Sequence, residues 1–292
     1  MTKKIVVLNN FGDDRIAWIK RISKQSPLKN KWKDFELTPS IEDSDYVVIL
    51  DGVSHISKNE FEHFLQKKKI FIQREPEQVQ GNITVAKNKF DKYIDYDTHP
   101  PYVDWWLDYD YEYLSNLKFE DVKKTKDNPI CIITSKTFTE GQAKRIKFLK
   151  KIQDKICIDF YGKQDISSMF NNYKGVPEYH NTSKRDKSRI FEYDVSISLE
   201  NGSRKNFFTR TSEDLLCWTL PVYWGCPNLE DFLPENSYRY VDIDSEFSKE
   251  KLEYLTRKPE KKELIAMAEA RDLVLNKYNF FPHMQSILEK MQ

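Results

Sequence analysis

Short apolar runs that alternate with polar, helix-forming segments place the strongest constraint on how this chain can fold. In the first half, Lys4–Leu8, Tyr46–Leu50, Lys69–Gln73 and Lys92–Asp95 have the composition of β-strands, and Asn59–Lys68 that of a helix. Strands separated by helical segments are typical of parallel βαβ units. The first half is therefore predicted to form a parallel sheet with helices packed on it.

The same alternation starts again after Pro129. The predicted elements are the strands Ile130–Thr134, Ile156–Tyr161, Asp194–Leu199 and Leu220–Tyr223 and the helices Gly141–Lys151, Ser212–Thr219 and Glu263–Tyr278. A chain of 292 residues is about twice the length of one ordinary domain. We predict an α/β fold with two Rossmann-like lobes that face a central cleft, with ligands outside the carboxyl ends of the strands.

The domain boundaries are expected at a charged segment in the middle of the chain. Residues 118–128 have little apolar content and are followed by Pro129, which is typical of an interdomain linker. The prediction is a first lobe over residues 1–122, a second over residues 129–280, and a helical tail over residues 281–292.

Charge and cysteine usage exclude several classes of protein. Lys and Arg total 47 against 46 Asp and Glu, a net charge of +1, which argues against a nucleic-acid binder with a bulk basic field. The apolar run after Lys4 is too short for a signal peptide, and no stretch approaches the roughly 18 apolar residues of a membrane span. The 4 cysteines form no CxxC pair, which suggests reduced core residues and a cytoplasmic protein.

Familiar nucleotide and metal motifs are absent from the sequence. Neither GxGxxG nor GxxxxGK[ST] occurs, so a nucleotide would not use the usual glycine-rich cradles. The 5 histidines have no metal-ligand spacing, and we predict no metal site.

The segment that follows the strand Asp194–Leu199 has the composition of an anion site. Glu200 and Asn201 fall where the strand ends, and Arg204, Lys205 and Arg210 precede a helix that is predicted to begin near Ser212. Cations together with the N–H groups of a helix N-terminus suit a diphosphate. An exposed basic loop with a capping Ser or Thr is the alternative interpretation.

Three pieces of this region carry a specific resemblance. The chain reads LENG at 199–202, FFTRT at 207–211 and TLPVYWGCPN at 219–228. Together they resemble the C-terminal signature of the α-1,3-fucosyltransferases of glycosyltransferase family 10. Upstream, Ser135, the pair Arg145 and Phe148, and the turn 158–163 resemble the family's phosphate loop, its R-x-x-F helix and its V-D-x-x-G turn.

The resemblance implies a set of donor-binding residues, in which Arg145 approaches the phosphates. The set is Ser135, Arg145, Tyr161, Gly162, Lys163, Glu200, Asn201, Lys205, Thr209, Arg210 and Glu213. The family's Glu-Lys dipeptide, which contacts the donor sugar and diphosphate, is missing here. Arg210 replaces either its Lys or its Glu, and Glu213, about one helical turn on, is the substitute for a lost acidic contact.

Catalytic and acceptor-binding residues are expected in the first lobe. Glu75, at the end of a strand and just before Pro76, resembles the family's catalytic carboxylate, with Glu77 as the fallback and a surface acid as the alternative. Trp105 and Trp106 could stack on the sugar rings of an acceptor, although packing against the sheet is an alternative use.

The resemblance implies an inverting, metal-independent transfer of fucose from GDP-fucose to a hydroxyl of a glycan. In that reading residues 1–122 are the acceptor side, residues 129–280 bind the donor, and residues 281–292 cross back to the first lobe. A transferase that uses another nucleotide sugar, and a non-catalytic nucleotide-sugar or glycan-binding protein, are the alternatives.

Overall fold

The described part of the chain divides into two α/β units. The computed structural model describes residues 2–9, 14–52, 56–74, 89–95, 102–133, 139–162, 164–177 and 186–291. The first unit comprises Met1–Asp104, Asp110–Glu112 and Asn276–Gln292, and the second comprises Trp105–Tyr109 and Tyr113–Leu275. Each unit contains a mostly parallel sheet with helices, so the predicted α/β class is confirmed.

The first unit contains a six-stranded sheet in the order β2-β3-β1-β4-β5-β6. The strands are β1 (Lys3–Asn9), β2 (Lys31–Trp32), β3 (Phe35–Leu37), β4 (Tyr46–Leu50), β5 (Lys68–Ile72) and β6 (Lys92–Ile94). All neighbours pair in parallel except β2 and β3. Among the described residues, the helices that accompany the sheet are α1 (Arg15–Ile22), α2 (Lys58–Gln66) and the C-terminal helix, named α8 below (Phe280–Glu289). Phe280, Phe281 and Met284 of that helix share one buried cluster with strand residues such as Val48.

The second unit contains a five-stranded, wholly parallel sheet in the order β11-β10-β9-β7-β8. The strands are β7 (Ile130–Ile133), β8 (Asp159–Gly162), β9 (Val195–Leu199), β10 (Leu220–Trp224) and β11 (Arg239–Tyr240). The helices are α3 (Tyr111–Asn116, which begins in the first unit), α4 (Glu140–Ile152), α5 (Thr211–Leu216), α6 (Lys249–Thr256) and α7 (Lys261–Leu273). Apolar side chains of α4, such as Phe148 and Leu149, pack on β7, β8 and β9.

The charged segment 118–128 lies within the second unit rather than between the units. Its neighbours are fastened to that unit by main-chain contacts: Trp218 Nε1 donates to Leu117 O at 3.0 Å, and Arg271 Nη2 donates to Leu114 O at 2.8 Å. Thr125 N donates to Glu192 O at 2.9 Å. These main-chain groups thus have partners that the charged composition does not reveal, and the chain passes between the units within residues 104–113 and again near residue 275.

Candidate functional site

The candidate site lies where the sheet of the second unit changes direction. From β7 the chain runs to β8 at one edge and then returns to β9 on the other side of β7. In open parallel sheets, ligands bind outside the carboxyl ends of the strands at such a switch point. Because β9 ends at Leu199, Glu200 and Asn201 stand at this position.

Two arginines meet at the side chain of Asn201. Arg145 Nη1 donates to Asn201 Oδ1 at 2.9 Å, and Arg210 Nη2 donates to the same oxygen at 3.2 Å. Arg145 is only 2% exposed, and its burial together with the nearby charge of Arg210 lowers the pKa of its guanidinium to about 9. Glu200 neutralises part of this charge, since its carboxylate lies 3.8 Å from Arg210 Nε. The remaining positive charge at the shared amide oxygen favours an anion, which would accept charge-assisted hydrogen bonds. The structure therefore brings together the two arginines that the sequence assigns to a diphosphate.

The N-terminus of α4 lies against the same asparagine. Thr139 and Gln142 form a capping box, in which Thr139 Oγ1 accepts from Gln142 N at 3.3 Å and Gln142 Oε1 accepts from Thr139 N at 3.1 Å. A Cβ on Gly141 would overlap the carbonyl of Asn201, so only glycine lets the helix approach this closely. The positive end of the α4 dipole thus adds to the charge of Arg145 and Arg210.

Glu200 is an internal anion that organises the loop 201–210, called the donor loop below. It is 1% exposed, and its carboxylate accepts from Thr209 N at 2.6 Å, Thr209 Oγ1 at 3.0 Å and Arg210 N at 2.9 Å. These N–H groups directly precede α5, which the sequence offered as a site for the donor phosphates. In the structure Glu200, a carboxylate of the protein itself, accepts from these amides, and the helix terminus that lies beside Asn201 is that of α4.

The PVYWG motif explains how Glu200 is held. Tyr223 Oη lies 3.5 Å from a Glu200 carboxylate oxygen and accepts from Cys226 N at 2.9 Å. Gly225 has φ +156°, and a Cβ there would overlap Glu200 Cγ and lie 2.6 Å from Tyr223 Oη. The motif therefore holds Glu200 in place, and Glu200 in turn organises the donor loop.

The basic part of the donor loop is fixed by Asn206, which the sequence analysis did not single out and which pairs with Asn228. Asn206 has φ +59°, and its N–H donates to Asn228 Oδ1 at 2.9 Å while Asn228 Nδ2 donates back to Asn206 Oδ1 at 2.9 Å. The neighbouring Lys205 is exposed. Asn228 is the last residue of the signature piece at 219–228, so that piece was the sequence signal from which this contact could have been found.

The Glu213 carboxylate accepts hydrogen bonds from within the protein. Its Oε1 accepts from Lys187 Nζ at 2.6 Å and from Trp106 N at 3.4 Å, and the residue is 2% exposed. The next residue, Asp214, accepts from Ser198 Oγ. Burial raises the pKa of Asp214 to about 7, although the Ser198 hydrogen bond opposes the shift. Sequence reasoning missed Asp214, because nothing in its sequence neighbourhood predicts that the start of a six-residue helix is buried.

The structure places Tyr161 in the interior of the second unit. Its hydroxyl lies 3.1 Å from Tyr193 Oη, which donates to Asp159 Oδ2 at 2.8 Å. Burial raises the pKa of Tyr161. Gly162 is also enclosed, since a Cβ there would lie 3.1 Å from Ile133 O.

The two tryptophans expected at an acceptor differ in their surroundings. Trp105 is buried, and its Nε1 donates to Tyr109 O at 3.4 Å. Trp106 is partly exposed, and its carbonyl accepts from Lys187 N at 2.7 Å. Both belong to the second unit, whereas the sequence analysis expected them in a first lobe over residues 1–122, on the acceptor side.

Four of the residues named from the sequence, Glu75, Glu77, Ser135 and Lys163, lie outside the described residues. Across the described ranges no group of three or more His, Cys, Asp or Glu could hold a metal ion. No helix within those ranges is long and apolar enough to cross a bilayer.

Comparison with known proteins relates a large part of the second unit to one family. Residues 123–263 match the family model described as glycosyltransferase family 10 (fucosyltransferase) C-term. A curated relative, GDP-fucose protein O-fucosyltransferase 3 of Xenopus laevis, is 25% identical over 132 residues, which are 43% of this chain and 26% of the relative. The matched part is thus a minor share of that relative's length.

Solved structures show the same fold. A crystal structure of an α1,3-fucosyltransferase aligns with 99% of this chain and 88% of its own at 16% identity and a TM-score of 0.55. The structure titled as α1,3-fucosyltransferase with GDP-fucose aligns with 99% of this chain and 90% of its own at 16% identity and a TM-score of 0.52. Residues 123–263 thus match the fucosyltransferase C-terminal domain of glycosyltransferase family 10, and the solved structures add the fold.

Proposed function

We propose that the protein transfers fucose from GDP-fucose to a hydroxyl of a glycan, with inversion at the anomeric carbon. The convergence of Arg145 and Arg210 on Asn201, at the switch point of a family 10 domain, is the observation that carries this proposal. The relative and the solved structure named above both carry GDP-fucose in their titles.

The proposed reaction breaks the bond between the anomeric carbon and the diphosphate while the acceptor oxygen forms a new bond to that carbon. A general base, assigned to Glu75 from the sequence, takes the acceptor proton. The electron pair of the broken bond leaves on the diphosphate, where Arg145, Arg210 and the N-terminus of α4 neutralise the developing charge. Positive side chains in this position can act without a metal, and metal independence is part of the proposal.

Donor binding is the direct test. Calorimetric titration with GDP, GDP-fucose and a panel of GDP- and UDP-sugars should show binding of guanine nucleotides with preference for GDP-fucose. Arg145→Gln should abolish most of that binding, because a charge-assisted bond to phosphate contributes about 1.5–3 kcal/mol. Preference for a different nucleotide sugar would favour the alternative transferase.

The base requires a separate measurement. Glu75→Gln should bind GDP with the affinity of the unmodified protein and lose transfer by two or more orders of magnitude, roughly the contribution of a general base. Glu77→Gln is the matched comparison. If Glu75→Gln transfers at full rate and Glu77→Gln does not, the assignment moves to Glu77. Tight GDP binding without any transfer would favour a binding protein.

A protein hydroxyl is the second candidate acceptor. The curated relative is titled a protein O-fucosyltransferase, and the match to it covers 132 residues. Radiolabelled GDP-fucose offered with oligosaccharides and with folded protein domains would separate the two acceptors. The cytoplasmic location expected from the sequence stays a prediction.

A further inference from the structure

A narrow cavity lies beside β9 in the second unit. Its volume is about 20 Å³, which has room for about one water molecule. Ser196 and Ser198 of β9 form part of its wall, and Arg210, which donates to Asn201 in the candidate site, forms another part. The cavity therefore shares a residue with the site that we assign to the diphosphate.

The charges around this cavity are balanced. Among the described residues, the charged groups that line it are two cations and two acids, namely Lys187, Arg210, Glu213 and Asp214. If both acids are ionised, the four charges cancel, and if one acid holds a proton, the set has a net charge of +1. Arg145 and Glu200, which lie next to Arg210 in the site, add one charge of each sign and leave this balance unchanged.

The two acids differ in their partners. Glu213 is paired with a cation, since Lys187 Nζ lies 2.6 Å from its Oε1, and so it does not replace the acidic sugar contact that the donor loop lacks. Asp214 is 1% exposed and accepts from the neutral hydroxyl of Ser198, which lies 3.1 Å from Ser196 Oγ. Burial disfavours the charged form of Asp214 and raises its pKa to about 7. Asp214 is therefore the lining acid whose charge changes near neutral pH.

The side chain of Cys131 on β7 connects Asp214 to the arginine pair. Arg145, Arg210 and Asp214 all act electrostatically on the Cys131 thiol. The thiol itself is uncharged at neutral pH, because burial raises its pKa to about 12. A charge on Asp214 thus lies within electrostatic reach of the groups that would hold a diphosphate.

Two further cations and a thiol lie near Asp214 on other elements of the second unit. Lys124 Nζ donates to Cys217 O at 2.9 Å, and the charges of Asp214 and Arg271 both act on it. Arg271 of α7 donates to Leu215 O at 2.8 Å. Burial raises the pKa of the Cys217 thiol well above its ordinary value and lowers the pKa of Lys124 to about 8. Lys124 is therefore a second group near Asp214 whose charge changes close to neutral pH.

We propose that Asp214 couples donor binding to a proton: a neutral Asp214 leaves the site positive and the diphosphate binds tightly, whereas ionised Asp214 cancels that charge and weakens binding. The inference rests on the proposed function and concerns the regulation of the same site. By thermodynamic linkage, a bound diphosphate favours the protonated form of Asp214 by the same factor. Donor binding near neutral pH therefore takes up a proton, and donor affinity falls as the pH rises.

Calorimetric titration with GDP-fucose tests this coupling without an acceptor. The diphosphate of a nucleotide sugar is esterified at both ends and does not titrate in this range, unlike a terminal phosphate, whose second pKa is about 6. The dissociation constant should rise roughly tenfold from pH 5.5 to pH 8.5, which is the factor expected for a unit charge about 10 Å away. Titrations near pH 7 in buffers of different ionisation enthalpy should show uptake of a fraction of a proton per donor bound.

Three variants assign the effect to one residue. Asp214→Asn resembles the neutral acid and keeps an acceptor for Ser198, so it should bind GDP-fucose at every pH as the parent does at pH 5.5. Asp159→Asn replaces another buried acid of the second unit, at the start of β8, and is the matched control that should retain the parent's pH dependence. Ser198→Ala should move the midpoint to higher pH, because the Ser198 hydrogen bond lowers the pKa of Asp214. It serves in place of Asp214→Asn if that variant does not fold.

Three results would overturn the inference. They are a GDP-fucose affinity that does not change between pH 5.5 and 8.5, binding without proton uptake near pH 7, and an Asp214→Asn protein with the pH dependence of the parent. The last would assign the coupling to another group, such as Lys124. A protein that binds no GDP-fucose at any of these pH values refutes the proposed function itself, and the inference with it.

Discussion

Replacing Asn201 with aspartate should make the protein more stable and a weaker binder of GDP. The amide oxygen of Asn201 accepts from Arg145 at 2.9 Å and from Arg210 at 3.2 Å. Asp has nearly the same shape, so both hydrogen bonds from the charged arginines persist and gain an ionised acceptor. A partly exposed ion pair contributes up to about 1 kcal/mol, so two of them should raise the free energy of unfolding by up to about 2 kcal/mol.

The same charge competes with a diphosphate for the arginines. In the variant the aspartate already neutralises part of the charge of Arg145 and Arg210, so a diphosphate gains less when it binds. About 2 kcal/mol of binding free energy should therefore disappear. That change corresponds to a rise of roughly thirtyfold in the dissociation constant for GDP.

Urea unfolding and calorimetric GDP titration of the same preparations measure the two effects. Asn236→Asp is the matched control, because Asn236 has φ +71°, which Asp also tolerates, and lies in the same unit. The control should leave GDP affinity unchanged. A destabilised Asn201→Asp protein, or one that binds GDP as tightly as the parent, would refute the placement of the diphosphate between these arginines.

Three further results are expected. The native state keeps a proton on Asp214 up to about pH 7, which the unfolded state releases near its ordinary value of 3.8, so this group's contribution to stability should fall between pH 4 and 7. Unfolding midpoints of Asp214→Asn measured at pH 5, 6 and 7 should therefore fall less with pH than those of the parent, and an identical slope would contradict the assignment. Gly225→Ala should lower the free energy of unfolding by about 1–3 kcal/mol, because the added Cβ would overlap Glu200. Urea unfolding measures this loss, and an unchanged free energy of unfolding would contradict the prediction. EDTA should leave GDP affinity in calorimetry unchanged, and a loss that Mg²⁺ restores would show that the proposed metal independence is wrong.

Periodic patterns in the sequence predict the buried strands well. Tyr46–Leu50 has the predicted bounds, and β10 extends the predicted Leu220–Tyr223 by one residue. The two-residue strands β2 and β11 and the helices α1 and α6 were not predicted. Two residues are too few to show an alternation, and such strands form because a neighbour offers a free edge. The predicted helix Glu263–Tyr278 is an α-helix to Leu273 and a π-helix from Val274, a change of winding that apolar spacing does not resolve.

The sequence was less informative about what each polar residue contacts. The strand–loop–helix order placed Asn201 and Arg210 in one site, and the family resemblance added Arg145. The sequence could not show that Glu200 bonds the amides before α5, because that depends on the side-chain conformation of a buried acid. The partner of Glu213 lies 26 residues away at Lys187, a distance over which local spacing carries no information.

The pairing of Arg145 with Arg210 has a kinetic consequence for the proposed reaction. The spent nucleotide presents the donor's pyrophosphate with one additional ionisable oxygen, so these cations would hold the product at least as firmly as the substrate. Departure of GDP would then limit turnover, as product release does in many enzymes. Steady flux would depend on another activity that degrades or removes the nucleotide, and accumulated GDP would act as an inhibitor competitive with the donor.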